Sequence, residues 1–325
     1  MALIVYYLHP PAQEYLNYLS PKLLAEIRLS AEDSPNVPDD TQILIAGRPQ
    51  REQLQDCLKL KKLIIPWAGI PPETRQLMLD FPDIDVHNLH HNAAPVAEMV
   101  LALLLAAAKF IVPLDQSLRS NDWRPRYRPS PALLLKGKTA LILGYGAIGR
   151  QVAGHCRQLG MRILAIKRRL DAELESVDEI HPPAALHHLL PQTHALLICL
   201  PHTPETDGLI GKDELNLLPA EAVLVNVGRG SIVVEEALYQ ALRDGGLYAA
   251  GLDVWYNYPA DERSRADTAP ANFPFHELDN VVMSPHRAGA TKESNYLRMD
   301  SLASMLNKAA QGEQLPNRVD VEVGY

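Results

Sequence analysis

A glycine-rich segment in the middle of the chain constrains the fold more than any other feature. Gly144, Gly146 and Gly149 have the spacing G-x-G-x-x-G and directly follow the apolar run Ala140–Leu143. Between a strand and a helix, the first glycine permits a tight turn, the second lets the backbone approach a pyrophosphate, and the third allows close helix–strand packing. The pattern predicts an α/β domain that binds a dinucleotide through Gly144, Tyr145, Gly146, Ala147, Ile148 and Gly149.

A basic triplet follows the next predicted strand, Arg162–Ile166. In dinucleotide sites an acidic residue at this place usually bonds the ribose 2′-hydroxyl of NAD. Here the chain reads Lys167, Arg168 and Arg169, and an arginine fork matches a 2′-phosphate in shape and charge. The triplet therefore predicts NADPH/NADP as the cofactor in preference to NAD, with a solvated basic turn as the alternative.

Composition and charge exclude several classes of protein. The chain has 325 residues, 47% hydrophobic and 22% charged, which is enough for two domains with separate cores. A net charge of −8 without a long basic block argues against a nucleic-acid partner. Three scattered cysteines favour a reducing, cytoplasmic location. The N-terminus lacks the features of a signal peptide, and the charge-free run Met99–Ala108 is too short to cross a membrane.

The order of apolar and polar segments predicts two domains. Before residue 95, short apolar runs alternate with helix-length polar stretches, which indicates βαβ units on a small parallel sheet. Pro95 is expected at the start of a long helix that runs to Lys109. Residues 113–137 lack periodicity and are expected to form an extended arm that packs on a second subunit, giving a homodimer. The predicted strands of the first domain are Leu3–Leu8, Gln42–Ala46, Lys62–Pro66 and Asp85–Asn88.

From Lys138 the βαβ pattern resumes and predicts a nucleotide-binding fold of six strands. Helices are expected at Ala147–Leu159 and Glu235–Asp244, and a last helix at about 292–311 follows the sheet. The predicted strands are Thr139–Leu143, Arg162–Ile166, Ala195–Leu200, Ala222–Val227, Ala249–Val254 and Val281–Ser284.

Six motifs occur in the order in which one known family has them. Besides the glycine segment they are Asn92-Ala-Ala-Pro-Val-Ala-Glu98, Leu200-Pro-His-Thr-Pro-Glu-Thr206, Val225-Asn-Val-Gly-Arg-Gly230, Gly251-Leu-Asp-Val-Trp255 and Ser284-Pro-His286. With them the chain resembles the D-isomer-specific 2-hydroxyacid dehydrogenase family over essentially its whole length.

The resemblance implies two Rossmann-like or flavodoxin-like parallel-sheet domains with an interdomain cleft. Residues 1–95 and 287–325 would form the substrate domain, and residues 96–286 the NADP(H)-binding domain. The implied reaction is hydride transfer between C4 of the nicotinamide and C2 of a small acid. In the reductive direction, a 2-oxo acid would become a D-2-hydroxy acid.

This chemistry requires a cation that binds the substrate carboxylate and polarises C2, together with an acid that protonates the oxygen. The resemblance assigns the first role to Arg229 and the second to His286. It also implies that Asp253 orients the nicotinamide carboxamide, for which a plain strand-end residue is the alternative. Thr203 and Thr206 line the adenosine side or are plain turn hydroxyls.

Further candidates come from the same resemblance. The substrate carboxylate would meet backbone N–H groups of Ala68, Gly69 and Ile70. Other candidate substrate-binding residues are Asn92, which lies in a matched motif, and His90 and Arg287, which stand beside matched motifs. Other candidate cofactor-binding residues are Leu200, Pro201, Thr206, Val227, Gly228 and Gly289.

The chain departs from the family pattern at one catalytic position. Most members have a glutamate five residues after the aspartate that matches Asp253, and it pairs with the catalytic histidine. Here the residue is Tyr258, which offers only a neutral hydrogen bond. Glu262 would take the place of that glutamate if the loop were shifted.

The missing glutamate leaves the substrate class open. One possibility is a 2-oxo acid reductase with a weakened acid. A second is a reductase of 2-imino acids, because an iminium already carries its proton. A third is a formate or phosphite dehydrogenase, since formate has no carbonyl to protonate. Some proteins of this fold are nucleotide-sensing binding proteins, but the presence of both Arg229 and His286 disfavours that role.

The surroundings of these residues permit two interpretations. The residues concerned, His90, His91, Trp255, Tyr256 and Tyr258, are either solvated histidines and core aromatics, or parts of a polar, aromatic-walled pocket for a substrate larger than glyoxylate. No third ligand accompanies the two histidines, so no metal site is expected. The loop Ala260–Asn272 is a charged, proline-containing insertion that covers the cleft or contacts a neighbouring subunit.

Overall fold

A computed structural model describes residues 2–32, 36–168 and 176–324. The chain divides into two compact units, Met1–Asn92 with Ala290–Tyr325, and Ala93–Gly289. Each unit contains a parallel sheet, so the predicted fold class of two parallel-sheet α/β domains is confirmed. Both breaks lie three residues from the expected boundaries. The first falls just before a helix that begins at Ala93, two residues ahead of Pro95.

The described residues of the first unit contain one more strand than the sequence predicts. The unpredicted strand Ile27–Glu32 lies at the edge of the sheet and buries only alternate side chains partially, so its sequence lacks a continuous apolar run. The strands are β1 Leu3–Leu8, β2 Ile27–Glu32, β3 Ile43–Ile45, β4 Lys62–Ile65 and β5 Asp85–Asn88, in the order β2-β1-β3-β4-β5. The helices are α1 Gln13–Leu19, α2 Arg51–Gln55, α3 Pro72–Met78 and, at the end of the chain, α10 Ser294–Ala310.

Both faces of this sheet are buried. Val5 and Tyr7 of β1 pack with α1 and α10, whereas Tyr6 and Leu8 belong to a second apolar cluster on the opposite face. Successive residues of a strand point to opposite faces, and a parallel sheet covered on both sides therefore has strands that are apolar throughout. This explains why the central strands were recognisable in the sequence.

The described residues of the second unit contain seven parallel strands rather than the six predicted. The unpredicted strand, β8 Glu179–His181, is short, only partly buried and at the sheet edge. The others are β6 Thr139–Leu143, β7 Arg162–Ile166, β9 Ala195–Ile198, β10 Val223–Asn226, β11 Ala249–Leu252 and β12 Val281–Met283. The order is β12-β11-β10-β9-β6-β7-β8, so the strand numbers increase outward on both sides of the neighbouring pair β6 and β9. Ligands of such sheets bind beyond the carboxyl ends of the strands near this switch point.

The helices of the second unit correct one prediction. The segment 113–137, expected to be an extended arm, begins inside a helix. Pro113 falls in the first turn of that helix, where proline is tolerated. The helices are α4 Ala93–Ala108, α5 Ile111–Arg119, α6 Ala147–Gln158, α7 Leu186–Leu189, α8 Lys212–Leu217 and α9 Glu235–Arg243. In the described ranges no single helix has the length and apolar character to span a membrane; α4 and α5 pass that test only as a pair bent by 66°.

Candidate active site and nucleotide-binding edge

The glycine segment forms the turn between β6 and α6. Gly144 has φ +97°, which favours glycine. A Cβ at Gly149 would lie 2.1 Å from the Gly144 carbonyl oxygen, whereas a Cβ at Gly146 would meet no atom within 4 Å. Gly144 thus makes the turn, Gly149 permits the close packing, and Gly146 leaves open space beside the start of α6. These residues fit the pyrophosphate of a dinucleotide.

Tyr145 differs from its neighbours in this turn. Its side chain is 1% exposed and belongs to the core of the second unit. The Tyr145 side chain is therefore not available to a nucleotide. The ring instead packs in the core beside the guanidinium of Arg150.

The basic residues follow β7, which lies next to β6 in the sheet. The Lys167 amide donates to the His181 carbonyl oxygen at 3.0 Å, which holds the end of β7 against β8. Arg168 is exposed at the same edge. Arg169 lies outside the described residues. The two described cations thus follow the carboxyl end of β7, at the same end of the sheet as the glycine turn.

The turn Pro201–Thr206 after β9 is held by its own hydroxyl group. Thr206 Oγ1 accepts from the Thr203 amide at 2.8 Å and donates to the Pro201 carbonyl oxygen at 2.8 Å. The plain-turn interpretation therefore describes the Thr206 side chain. Thr203 is buried, at 4% exposure.

Arg229 is presented by a turn that fits between two neighbouring loops. A Cβ at Gly228 would lie 2.5 Å from the Leu200 carbonyl oxygen, and one at Gly230 would lie 2.2 Å from the Trp255 carbonyl oxygen. Leu200 follows β9 and Trp255 follows β11, the two strands that flank β10. The glycines therefore allow the Arg229 backbone to pass between these loops while its side chain stays exposed.

Asn226, which the sequence reasoning did not single out, locks this turn. Its side-chain oxygen accepts from the Gly228 amide at 3.0 Å, and its Nδ2 donates to the Arg229 carbonyl oxygen at 2.9 Å. Asn226 is 2% exposed, so both bonds are sheltered from water. A polar residue at the end of an otherwise apolar strand was the available signal.

Asp253 holds the turn that carries His286. It is fully buried, and its carboxylate accepts from Ser284 Oγ at 2.5 Å, the Arg287 amide at 2.8 Å and the Ala288 amide at 2.9 Å. His286 lies inside this turn with φ +55°, a conformation that costs energy for a residue with a Cβ. The carboxylate thus stabilises the backbone around His286, and the expected contact of Asp253 with a carboxamide stays a prediction.

Tyr258 is the partner of His286. Its Oη lies 2.9 Å from His286 Nδ1 and accepts from the Trp255 amide at 3.1 Å. The shifted-loop alternative is wrong, because the Glu262 side chain is 84% exposed and pairs with Arg265. Since Nδ1 is engaged, Nε2 is the ring nitrogen left for a substrate.

The electrostatics of this cluster favour a neutral imidazole. Displacement of water from the ring and then the charge of Arg229 lower the pKa of His286, while Asp253 opposes the change. Burial raises the pKa of Tyr258, although the Trp255 amide and Arg229 act against it. Tyr258 is therefore an uncharged phenol, and it does not stabilise an imidazolium as a carboxylate would.

The aromatic residues after Asp253 divide between core and site. Trp255 is 6% exposed and donates to the Ser284 carbonyl oxygen at 2.8 Å. The Tyr256 hydroxyl donates to the Val233 carbonyl oxygen at 3.0 Å, and its ring stacks on Phe275. Trp255 and Tyr256 are thus core aromatics, and the aromatic-walled pocket is wrong for both. Tyr258, at 48% exposure, is the one of the three that contacts His286.

In the first unit, the predicted substrate-binding residues follow neighbouring strands. Asn88 Nδ2 donates to the Ala68 carbonyl oxygen at 2.6 Å, which joins the loop after β4 to the end of β5. His90 is exposed. Burial and then Arg298 and His90 lower the pKa of His91 to about 4, so His91 is neutral near pH 7. Binding of substrate by Ala68, Gly69, Ile70, His90, Asn92 or Arg287 stays a prediction.

Comparisons with known proteins agree with this geometry. The family model described as "D-isomer specific 2-hydroxyacid dehydrogenase, NAD binding domain" matches residues 101–288. A glyoxylate reductase of Aeropyrum pernix is 41% identical over 234 residues, which make up 70% of this chain and 66% of the relative. A glyoxylate reductase of Korarchaeum cryptofilum is 36% identical over 231 residues, again 70% of this chain and 66% of the relative.

The matched stretch thus spans just under two thirds of each reductase. Among solved structures, a D-isomer specific 2-hydroxyacid dehydrogenase from Xanthobacter autotrophicus Py2 in complex with NADPH and MES has a TM-score of 0.79 at 25% identity, and the match covers 100% of this chain and 99% of that one. The chain belongs to the D-isomer specific 2-hydroxyacid dehydrogenase family, whose members are oxidoreductases that use a nicotinamide cofactor.

Proposed function

We propose that this protein uses NADPH to reduce a small 2-oxo acid to the D-2-hydroxy acid. The observation that carries the proposal is the cluster of Arg229, His286 and Tyr258 in the second unit. Arg229 is close enough to influence both other groups electrostatically, and Tyr258 Oη lies 2.9 Å from His286 Nδ1. The names of the two glyoxylate reductases support a small 2-oxo acid as the substrate.

Each side chain has a separate task in this mechanism. Arg229 binds the substrate carboxylate and withdraws electron density from the carbonyl at C2. NADPH supplies the hydride when it is bound. His286, protonated on both nitrogens, gives its Nε2 proton to the oxygen at C2. Tyr258 orients the ring through Nδ1, and Asp253 holds the backbone turn that presents it.

A substrate panel tests the proposal. We expect NADPH to be oxidised in the presence of glyoxylate, hydroxypyruvate or another small 2-oxo acid. The loss of NADPH absorbance measures this reaction. The rate should rise as the pH falls towards the lowered pKa of His286, because reduction needs the protonated ring. The same panel with NADH is the control for the cofactor. Tight NADPH binding without turnover of any 2-oxo acid would instead support a nucleotide-sensing protein.

The preference for NADPH is carried by the cations after β7. We expect the double variant Lys167→Asp with Arg168→Ala to reverse the preference, with kcat/KM for NADPH falling about 10- to 100-fold, because bonds to the 2′-phosphate are charge-assisted. Steady-state assays with both cofactors measure the ratio. Lys138→Ala is the control, since Lys138 precedes β6 at the amino end of that strand and pairs with Glu221. An unchanged NADPH/NADH ratio in the double variant would refute the assignment.

Reduction of 2-imino acids is a second candidate, and the neutral partner of His286 favours it. A carboxylate partner would raise the pKa of the ring, whereas here water displacement and Arg229 lower it. An iminium carries its own proton, so hydride transfer to it depends less on a strong acid. Adding ammonia or amines to the 2-oxo acid panel distinguishes the two. Imine reduction predicts faster turnover with the amine and a pH profile that is insensitive to His286.

The partner of the chain is proposed to be a second copy. Large apolar side chains are exposed along α5 and the segment after it, including Ile111 (52%), Leu118 (50%), Trp123 (60%), Tyr127 (82%) and Leu134 (69%). An apolar surface of this kind typically marks a protein interface. Light scattering measures the mass in solution, and a monomer at micromolar concentration would contradict the homodimer.

A further inference from the structure

The insertion Ala260–Asn272 returns to the chain beside Tyr258. Near its end, the Pro270 carbonyl oxygen accepts from the Tyr256 amide at 3.1 Å and from the Asn257 amide at 2.9 Å. The residues just before Tyr258 are thus tied to the far end of the insertion. The position of Tyr258 therefore depends on where that far end is held.

Glu235 holds the far end. It is the first residue of α9, and its Oε1 accepts from the Asn272 amide and, at 3.2 Å, from the Phe273 amide. Its Oε2 accepts from Asn272 Nδ2 at 2.9 Å. An acidic residue in a first turn is favoured by the helix dipole, and here both of its oxygens also bond to the loop.

The connection continues from Asn272 to Tyr258. Asn257 Nδ2 donates to Asn272 Oδ1 at 3.2 Å, so the residue next to Tyr258 is bonded to the residue that Glu235 holds. Phe273, which follows Asn272, stacks on Tyr239 of α9 with ring centroids 5.1 Å apart. The loop is therefore attached to α9 by hydrogen bonds and by an aromatic contact.

We propose that Glu235 is a positioning residue for the active site, which holds Tyr258 at His286 through Asn272 and Asn257. The proposal rests on the proposed role of His286 as the proton donor. Tyr258 stands on a loop whose preceding residues, Tyr256 and Asn257, are bonded to the far end of the insertion. In this view the insertion, together with Glu235, supports the tyrosine that replaces the family's glutamate.

The test measures the protonation of His286 and does not require turnover. Imidazole NMR signals are followed against pH, and the His286 signal is identified by its loss in His286→Gln. The Glu235→Ala variant should shift the pKa of His286, because a released Tyr258 changes both the hydrogen bond at Nδ1 and the displacement of water that lowers this pKa. Glu236→Ala is the control, because Glu236 is exposed in the same turn and accepts from Gln240, so we expect no shift.

Kinetics provide the second measurement. In Glu235→Ala, kcat for the 2-oxo acid should fall about tenfold with little change in the KM for NADPH, since a displaced catalytic group costs rate rather than nucleotide binding. Glu235→Gln should have a smaller effect, because its remaining carbonyl oxygen can accept from the Asn272 and Phe273 amides. A double variant with Tyr258→Phe should be no worse than Tyr258→Phe alone.

Two results would overturn the proposal. One is an unmoved His286 titration in a Glu235→Ala protein whose thermal midpoint shows that it is folded. The other is additive effects of Glu235→Ala and Tyr258→Phe, which would mean that Glu235 acts by another route. If no variant and no wild-type sample reduces a 2-oxo acid, the proposed function fails, whereas the NMR titration still decides the role of Glu235.

Discussion

Replacing Arg229 with glutamine is expected to lower kcat/KM for reduction of a 2-oxo acid by about 10³-fold, because the variant loses the charge that binds the carboxylate and polarises C2. Both a higher KM and a lower kcat are expected, since the guanidinium acts on the bound substrate and on the transition state. Arg229→Lys should recover only part of the loss, because an ammonium keeps the charge but not the planar fork. Initial rates at saturating NADPH measure the effect.

Arg243→Gln is the matched control for this prediction. Arg243 lies at the end of α9 and pairs with Asp244, away from the Arg229 turn, so its variant should keep normal kinetics. The affinity of Arg229→Gln for NADPH, followed by nucleotide fluorescence, should stay close to that of the wild type. A loss of less than tenfold in kcat/KM would show that Arg229 does not bind the reacting acid.

Replacing His286 with glutamine is expected to lower kcat for a 2-oxo acid by about 10²- to 10⁴-fold, the range typical of a lost general acid. The alkaline limb of the pH profile should disappear with it, because no group in the variant titrates in its place. With an imino acid the loss should be far smaller, since the substrate brings its own proton. Comparing the two substrates in this one variant therefore separates the two candidate functions.

Tyr258→Glu is the companion variant. A carboxylate beside Nδ1 stabilises the imidazolium, so the pKa of His286 should rise. Reduction requires the protonated ring, and its rate is lost as the pH rises through that pKa. The alkaline limb for the 2-oxo acid should therefore move to higher pH in the variant. An unmoved limb would mean that the residue at 258 does not control the protonation of His286.

The central strands could be predicted from the sequence because they are buried on both faces. Strands such as Thr139–Leu143 and Lys62–Ile65 are apolar runs bounded by polar residues. The edge strands Ile27–Glu32 and Glu179–His181 were missed, since these partly exposed strands have no such run. The helix Ile111–Arg119 could not be predicted because residues 113–137 lack apolar periodicity, although Pro113 is tolerated in its first turn.

The residue types of the candidate site could also be predicted, but several of their roles could not. Arg229 and His286 stand in short motifs that identify them. Asp253 stands in such a motif too, yet its three hydrogen bonds to residues 284–288 are more than thirty positions away along the chain. The support that Asn226 gives to the Arg229 turn likewise depends on backbone groups whose direction no pattern specifies.

The sequence by itself determined the nucleotide turn, because its requirements are local: a positive φ at Gly144 and a backbone approach at Gly149 that no Cβ permits. It also determined that a tyrosine stands where the family has a glutamate. Only the tertiary structure decided that Tyr258 rather than Glu262 contacts His286, and that Glu235 anchors the loop between them. Both contacts depend on how loops that follow separate strands pack together at the carboxyl ends of the sheet. The spacing of residues along the chain does not specify that packing.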